Sequence, residues 1–218
     1  MMRIKRNFLR LESNRNAKLI VIATEGRQTE KIYFEGLSNF LKNPKVHVEI
    51  IEKLDDNSSP DEVLRKLNEF NLEYNLDEND ELWMVIDRDY QSWEPQMIKL
   101  VAQSCYQKKG FYLALSNPAF ELWLILHFID CSMLTHDEKE KLFENKKIAK
   151  KSSKTYSKKL LSDTIGGFSE ASYDPSQFLA NYNIAIKNAI KLDKQPRTRW
   201  PDCLATRVYK LVQSISKK

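Results

Sequence analysis

The chain has 218 residues, 42% hydrophobic and 30% charged, with 35 Lys+Arg against 30 Asp+Glu. Ten Phe, nine Tyr and four Trp exclude wholesale disorder, and five Gly with seven Pro exclude collagen-like or low-complexity chains. The net charge of +5 favours no function by itself.

Residues 1–17 form a basic arm in which Arg3, Lys5, Arg6, Arg10 and Arg15 face a lone Glu12. No apolar stretch or small-residue cleavage site precedes Leu19, so the arm does not read as a secretion signal. Lys18–Thr24 (KLIVIAT) is an apolar, β-branched run too short for a helix, and reads as a buried parallel-type strand. Thr29 is expected to cap a helix over Glu30–Lys42, with Ile32, Tyr33, Leu37, Phe40 and Leu41 on one face. Val46–Leu54 is a second strand. Ser59-Pro60-Asp61-Glu62 starts a helix with Ser59 as N-cap, Pro60 at the first position and Glu62 closing a capping box. Leu82–Ile86 is a third strand, Pro95–Lys109 a helix and Phe111–Leu115 a fourth strand.

This alternation predicts an α/β fold over residues 18–116, a four-stranded parallel-type sheet with flanking helices. Residues 117–218 read as a helical, basic region. Its helices are expected over Ala119–Ile129, from the Thr135/Glu138 capping box to about Ala149, over Gln177–Leu192 and over Cys203–Ile215. The longest apolar run, Leu122–Ile129, is broken by His127 and falls short of the roughly 20 residues a membrane span needs. Cys105, Cys131 and Cys203 are odd in number and show no ligand spacing; they suggest reduced thiols in the cytoplasm.

Charge divides along the chain. Residues 117–218 are net +7, whereas residues 16–116 are net −6. Within that acidic stretch, two predicted strands end in acids: Thr24-Glu25-Gly26 and Asp87-Arg88-Asp89. In open α/β sheets, ligands bind beyond the carboxyl ends of the strands. Extended backbone puts Asp87 and Asp89 on one side and Arg88 on the other. Paired carboxylates repel unless a cation lies between them, and oxygen-only clusters suit Mg²⁺ or Mn²⁺. Glu25 can complete such a cluster or act as a general base. Acids after strands are also ordinary helix caps and loop solubilisers. Glu121 lies among Phe120, Leu122, Trp123, Leu124 and Ile125, where a carboxylate needs a partner, so it joins the candidate metal ligands. Asn117 either extends the site or caps a helix, and His127 reads as a satisfied core histidine.

The pairing of VIATEGRQTEKIYFEGL with LWMVIDRDY resembles the Toprim catalytic fold of topoisomerases, primases and OLD-family nucleases. Three blocks resemble the RloB family of bacterial defence-associated proteins: EGRQTEKIYFEGL (Glu25–Leu37), VIDRDY (Val85–Tyr90) and SNPAFELWLILHF (Ser116–Phe128). PDCLATRVYKLV (Pro201–Val212) is similar to that family's closing helix. The resemblance implies a Toprim-like core with a helical C-terminal extension, a role in anti-phage defence and abortive infection, and an AAA/ABC-type ATPase as a partner. It maps the catalytic acids onto Glu25, Asp87 and Asp89. The OLD pattern EGxTE is one residue shorter than EGRQTE, so Glu30 fits a helix-dipole role as well as a ligand role.

The expected chemistry is Mg²⁺- or Mn²⁺-dependent phosphodiester hydrolysis of DNA or RNA. Arg3, Arg6, Arg88, Lys150, Lys151, Lys154, Arg197 and Arg199 are the candidate phosphate contacts, with Trp200 available for stacking. The lysines of Lys139–Lys159 also fit a solvated helix face. A non-catalytic Toprim-like binding or regulatory subunit working with a partner ATPase and a primase-like nucleotidyl transferase stay open as alternatives, and homo-oligomer formation stays open for each.

Overall fold

The computed structural model describes residues 6–8, 17–26, 28–51, 59–88, 95–152 and 154–217. A five-stranded sheet organises them. Its order is β3 (Val46–Ile51), β2 (Lys18–Thr24), β5 (Glu81–Asp87), β6 (Phe111–Asn117), β7 (Ala205–Thr206). The first four strands are parallel, with Ile22 opposite Trp83 and Asp87 opposite Ser116; β7 runs antiparallel to β6. A separate parallel pair joins β1 (Arg6–Asn7) to β4 (Tyr74–Asn75).

The central strands β2 and β5 are apolar through their middles because both faces are covered. On one face Leu19, Val21, Leu82, Met84 and Leu115 pack against Val63 and Leu67 of α2 (Pro60–Glu73), and against Ile98 and Val101 of α3 (Pro95–Gln107). On the other face Ile20, Ile22, Trp83, Val85 and Ala114 meet Tyr33, Phe34 and Leu37 of α1 (Thr29–Leu41). The same cluster takes in Leu122–Leu126 around α4 (Glu121–Ile125) and Leu161 of α6 (Tyr156–Ile165). It also takes in Ala185 and Ala189 of α8 (Tyr182–Leu192), and Leu211 and Val212 of α9 (Val208–Ser216). The helical half thus closes the core of the α/β half. Among the described residues no helix is long and apolar enough to cross a membrane.

Several elements depart from the sequence-based expectation. Thr29 is the first helical residue rather than the cap. Its carbonyl accepts the Tyr173 hydroxyl at 2.7 Å, which docks the start of α1 against the 166–175 loop. Ser59 caps α2 as expected, but Glu62 turns to Arg65 instead of closing the box. At Thr135 the box forms in full, opening α5 (His136–Glu144). The helix stops at Asn145, which adopts φ 45°, and residues 146–152 turn so that Lys147 and Thr155 form a bridge. Lys150 and Lys151 therefore lie on an exposed turn, not on a helix face.

The expected helix over Ala119–Ile129 shortens to α4 because the His127 ring takes the Trp123 carbonyl at 2.9 Å, a place the backbone would otherwise fill. The single helix expected over Gln177–Leu192 becomes α7 (Ser176–Leu179) and α8. The four-stranded, then all-helical, expectation is corrected by β7. Two residues carry no periodic signal, yet Ser116 and Thr206 hydroxyls meet at 2.9 Å and Arg207 N–H donates to Leu115 at 2.9 Å.

Candidate functional site

Parallel strands β2 and β5 deliver their final residues to one edge of the sheet. Glu25 follows β2, its N–H donating to Val85 at 3.0 Å, and its carboxylate accepts the Asp87 N–H at 3.2 Å. Asp87 ends β5 half-buried on the α4 face and accepts the Phe120 N–H. Glu121, first residue of α4, and Glu30, in the first turn of α1, are each only 5% exposed. Gly26 leaves the room that Glu30 occupies: a Cβ at Gly26 would collide with the Glu30 carboxylate. The need at Gly26 is for space beside a side chain.

Electrostatics follow from this crowding. Burial, then the charges of Glu30, Glu121 and Glu25, push the Asp87 carboxyl well above the usual carboxylate range. Burial raises Glu121 to about 7, although Lys158 draws it down. Lys158 enters from α6, and its ammonium lies 2.5 Å from the Glu170 carboxylate. Burial works against that charge, but Glu121, Glu170 and Asp87 together outweigh it and raise the Lys158 pKa.

Glu25, Asp87 and Glu121 are therefore brought together, joined by Glu30. Asp89 lies outside the described residues. The donors are all oxygens, the chemistry a hard divalent cation takes. Among the described residues, no three Asp, Glu, His or Cys side chains are arranged to hold one ion.

Other candidates disperse. Arg88 points away from Asp87, as alternation requires, and its guanidinium reaches the Asp202 carbonyl at 3.4 Å and carboxylate at 3.7 Å. Asn117 also turns to the α2/α3 side, donating to the Pro201 carbonyl at 3.1 Å. Trp200 packs into that core, and its indole N–H binds Asp202 at 3.0 Å, so it is not a free stacking platform.

Arg197 and Arg199 are exposed on the loop between α8 and β7, with the Arg199 guanidinium 5.1 Å above the Tyr106 ring. That loop is fixed from beneath by Arg207, which pairs with buried Asp193 at 3.3 Å and donates to Gln195 and Thr198. Lys150 and Lys151 are exposed and Lys154 half-buried on the turn that leads into α6. Arg6 belongs to β1, and Arg3 falls outside the described residues.

His127 is a core residue. Carbonyls only accept, so Nδ1 donates to Trp123 and Nε2 accepts the Tyr33 hydroxyl at 3.0 Å. Burial lowers its pKa to about 4, which leaves the ring neutral.

Lys158 and Glu170 are the site residues that the sequence pattern concealed. Lys158 is one of nine lysines between residues 139 and 159, and nothing local separates it from its neighbours.

These features define an α/β protein with an acidic cluster at the carboxyl edge of its central parallel strands. The RloB-like protein family model matches residues 20–215, and the chain belongs to that family. No curated protein and no solved structure matches it.

Proposed function

We propose that this chain is a Toprim-like nuclease that hydrolyses phosphodiester bonds of DNA or RNA with Mg²⁺ or Mn²⁺, in bacterial anti-phage defence. The observation that carries the reading is the gathering of Glu25, Asp87 and Glu121, with Glu30, at the strand ends, where burial and then their repulsion raise Asp87. Such perturbation concentrates at functional sites. Asp87, Asp89 and Glu121 would hold the cation, which supplies Lewis-acid stabilisation of the charge that develops on the phosphoryl group. Glu25, fixed by the Asp87 N–H, would orient or deprotonate the attacking water, or protonate the leaving oxygen.

Exposed Lys150, Lys151, Arg197 and Arg199 would bind the phosphate backbone. The defence role and a partner ATPase rest on the family resemblance.

The test incubates wild-type and Asp87→Ala protein with single- and double-stranded DNA and RNA, with and without Mn²⁺. Cleavage by the wild type and a loss of roughly a thousandfold or more in the variant are expected, with the fold retained. Undiminished cleavage by the variant removes the assigned site. A wild type that cleaves only once an ATPase is added supports the regulatory-subunit reading instead.

A further inference from the structure

A phosphodiester approaching Asp87 meets a wall of like charge. Glu25, Glu30 and Glu121 all act on Asp87 unfavourably, and Arg88 is turned to the opposite side of the sheet. Lys158 stands on α6, which packs in one core cluster with α4, one turn before the buried Leu161, and its charge acts on Glu121 and, more weakly, on Asp87. We propose that Lys158 is a substrate-contacting residue of this site, its ammonium receiving a non-bridging oxygen of the phosphodiester held against Asp87, with Glu170 as its positioning partner. The proposal rests on the hydrolase reading and adds the residue that reconciles an acidic centre with a polyanionic substrate.

Three features of the chain support it. An ammonium has three donors, and Glu170 at 2.5 Å takes one, which leaves two for a ligand. The Lys158 side chain is 27% exposed, so the head group is shielded enough to strengthen its interactions yet open to an incoming group. Its position is also set by rigid neighbours. Leu161, on the same helix, is wholly buried, and Ser157 N–H donates to the Asn145 side chain at 2.9 Å. The exposed lysine turn of residues 146–152 leads into this helix, with Tyr156 N–H bonded to the Lys146 carbonyl at 3.0 Å.

A counter-ion that only neutralises Glu121 and Asp87 would occupy the same place, so the experiment must separate the two roles. Full-length wild type, Lys158→Ala, Lys158→Arg, Glu170→Gln and Asp87→Ala are compared on one single-stranded oligonucleotide made as DNA and as RNA. Single-turnover cleavage, oligonucleotide affinity, Mn²⁺ binding by calorimetry and thermal midpoint are recorded for each.

Lys158→Ala is expected to slow cleavage about 100- to 1,000-fold, the usual loss for one donor to developing charge. Mn²⁺ affinity should be unchanged or higher, since a competing cation has gone. Lys158→Arg should recover at least about tenfold of the loss, and Glu170→Gln should lose about tenfold through misplacement of the ammonium. Cleavage by Lys158→Ala within threefold of wild type overturns the proposal. So does a loss that tracks a lower thermal midpoint and weaker Mn²⁺ binding without rescue by Arg. Asp87→Ala keeps the two readings apart: if it cleaves normally the hydrolase reading falls, whereas its inactivity beside an active Lys158→Ala sinks only the Lys158 assignment. Should the wild type cleave neither oligonucleotide, affinity decides: Lys158→Ala must bind about tenfold more weakly, and equal binding overturns the proposal.

Discussion

The central strand β5 carries carboxylates at both ends, and the two ends treat them oppositely. At the amino end Asp80, 4% exposed, accepts the Leu19 N–H at 2.7 Å and the Asp77 N–H at 2.8 Å. Glu81 beside it receives Lys18 at 2.5 Å, the Ser214 hydroxyl at 2.6 Å and the Trp83 indole at 2.7 Å. At the carboxyl end Asp87 accepts the Phe120 N–H but faces Glu25, Glu30 and Glu121 across a partly dry edge. The first arrangement ties strands together and stabilises the fold. The second costs stability, and carboxylates perturbed in this way concentrate at functional sites.

Substitutions at the two ends should therefore move stability in opposite directions. Asp80→Ala leaves two backbone N–H groups without their acceptor and should destabilise by roughly 2–5 kcal/mol in urea unfolding. If it costs under about 0.5 kcal/mol, the amino end is not the structural clamp described.

Glu121→Gln should do the reverse. The folded pKa of about 7 lies above the ordinary 4.5, so the folded state holds this proton longer than the unfolded chain. Its contribution is complete below pH 4.5 and is lost as pH rises to about 7. At pH 8 the variant should be more stable than wild type by roughly 2–3 kcal/mol.

His127 works with the opposite sign. Its pKa falls from 6.5 to about 4 on folding, so the unfolded chain takes the proton first and stability rises with pH through that window. Replacing Glu121 should make the slope of stability against pH more positive by about 1.4 kcal/mol per unit between pH 4.5 and 7. An unchanged slope would mean that Glu121 ionises normally.

Gly26→Ala sharpens the comparison with the smallest change. The new methyl displaces the Glu30 carboxylate, a side-chain movement that should cost under about 1 kcal/mol in stability. Cleavage should fall about tenfold if Glu30 is held where the site needs it. Unchanged cleavage places Glu30 among the helix-dipole acids instead.

Much of the fold and of the acidic edge is legible in the sequence. Lys18–Thr24, Leu82–Ile86 and Phe111–Leu115 announce themselves because burial on both faces demands unbroken apolar runs. Thr135 and Glu138 announce a helix start because the capping box is a local bond pair. Glu25 and Asp87 are visible because each directly follows or ends such a strand. What escaped depends on distant partners. β7 exists only because Ser116 and Asn117 of β6 leave an open edge for it to pair with. α6 was hidden because Leu160, Leu161 and Ile165 sit among lysines and polar residues that mask their spacing.

The sequence alone determined the class of sheet, the acidic character of its carboxyl edge and the family, since strand periodicity and short motifs are set by neighbours along the chain. Tertiary structure decided which acids share one site. Glu30 and Glu121 reach Asp87 only because α1 and α4 pack on the same face, and Lys158 reaches it through a helix whose place is set by the burial of Leu161. Charges act through space, and the distances between these groups are fixed by how the helices cover the sheet.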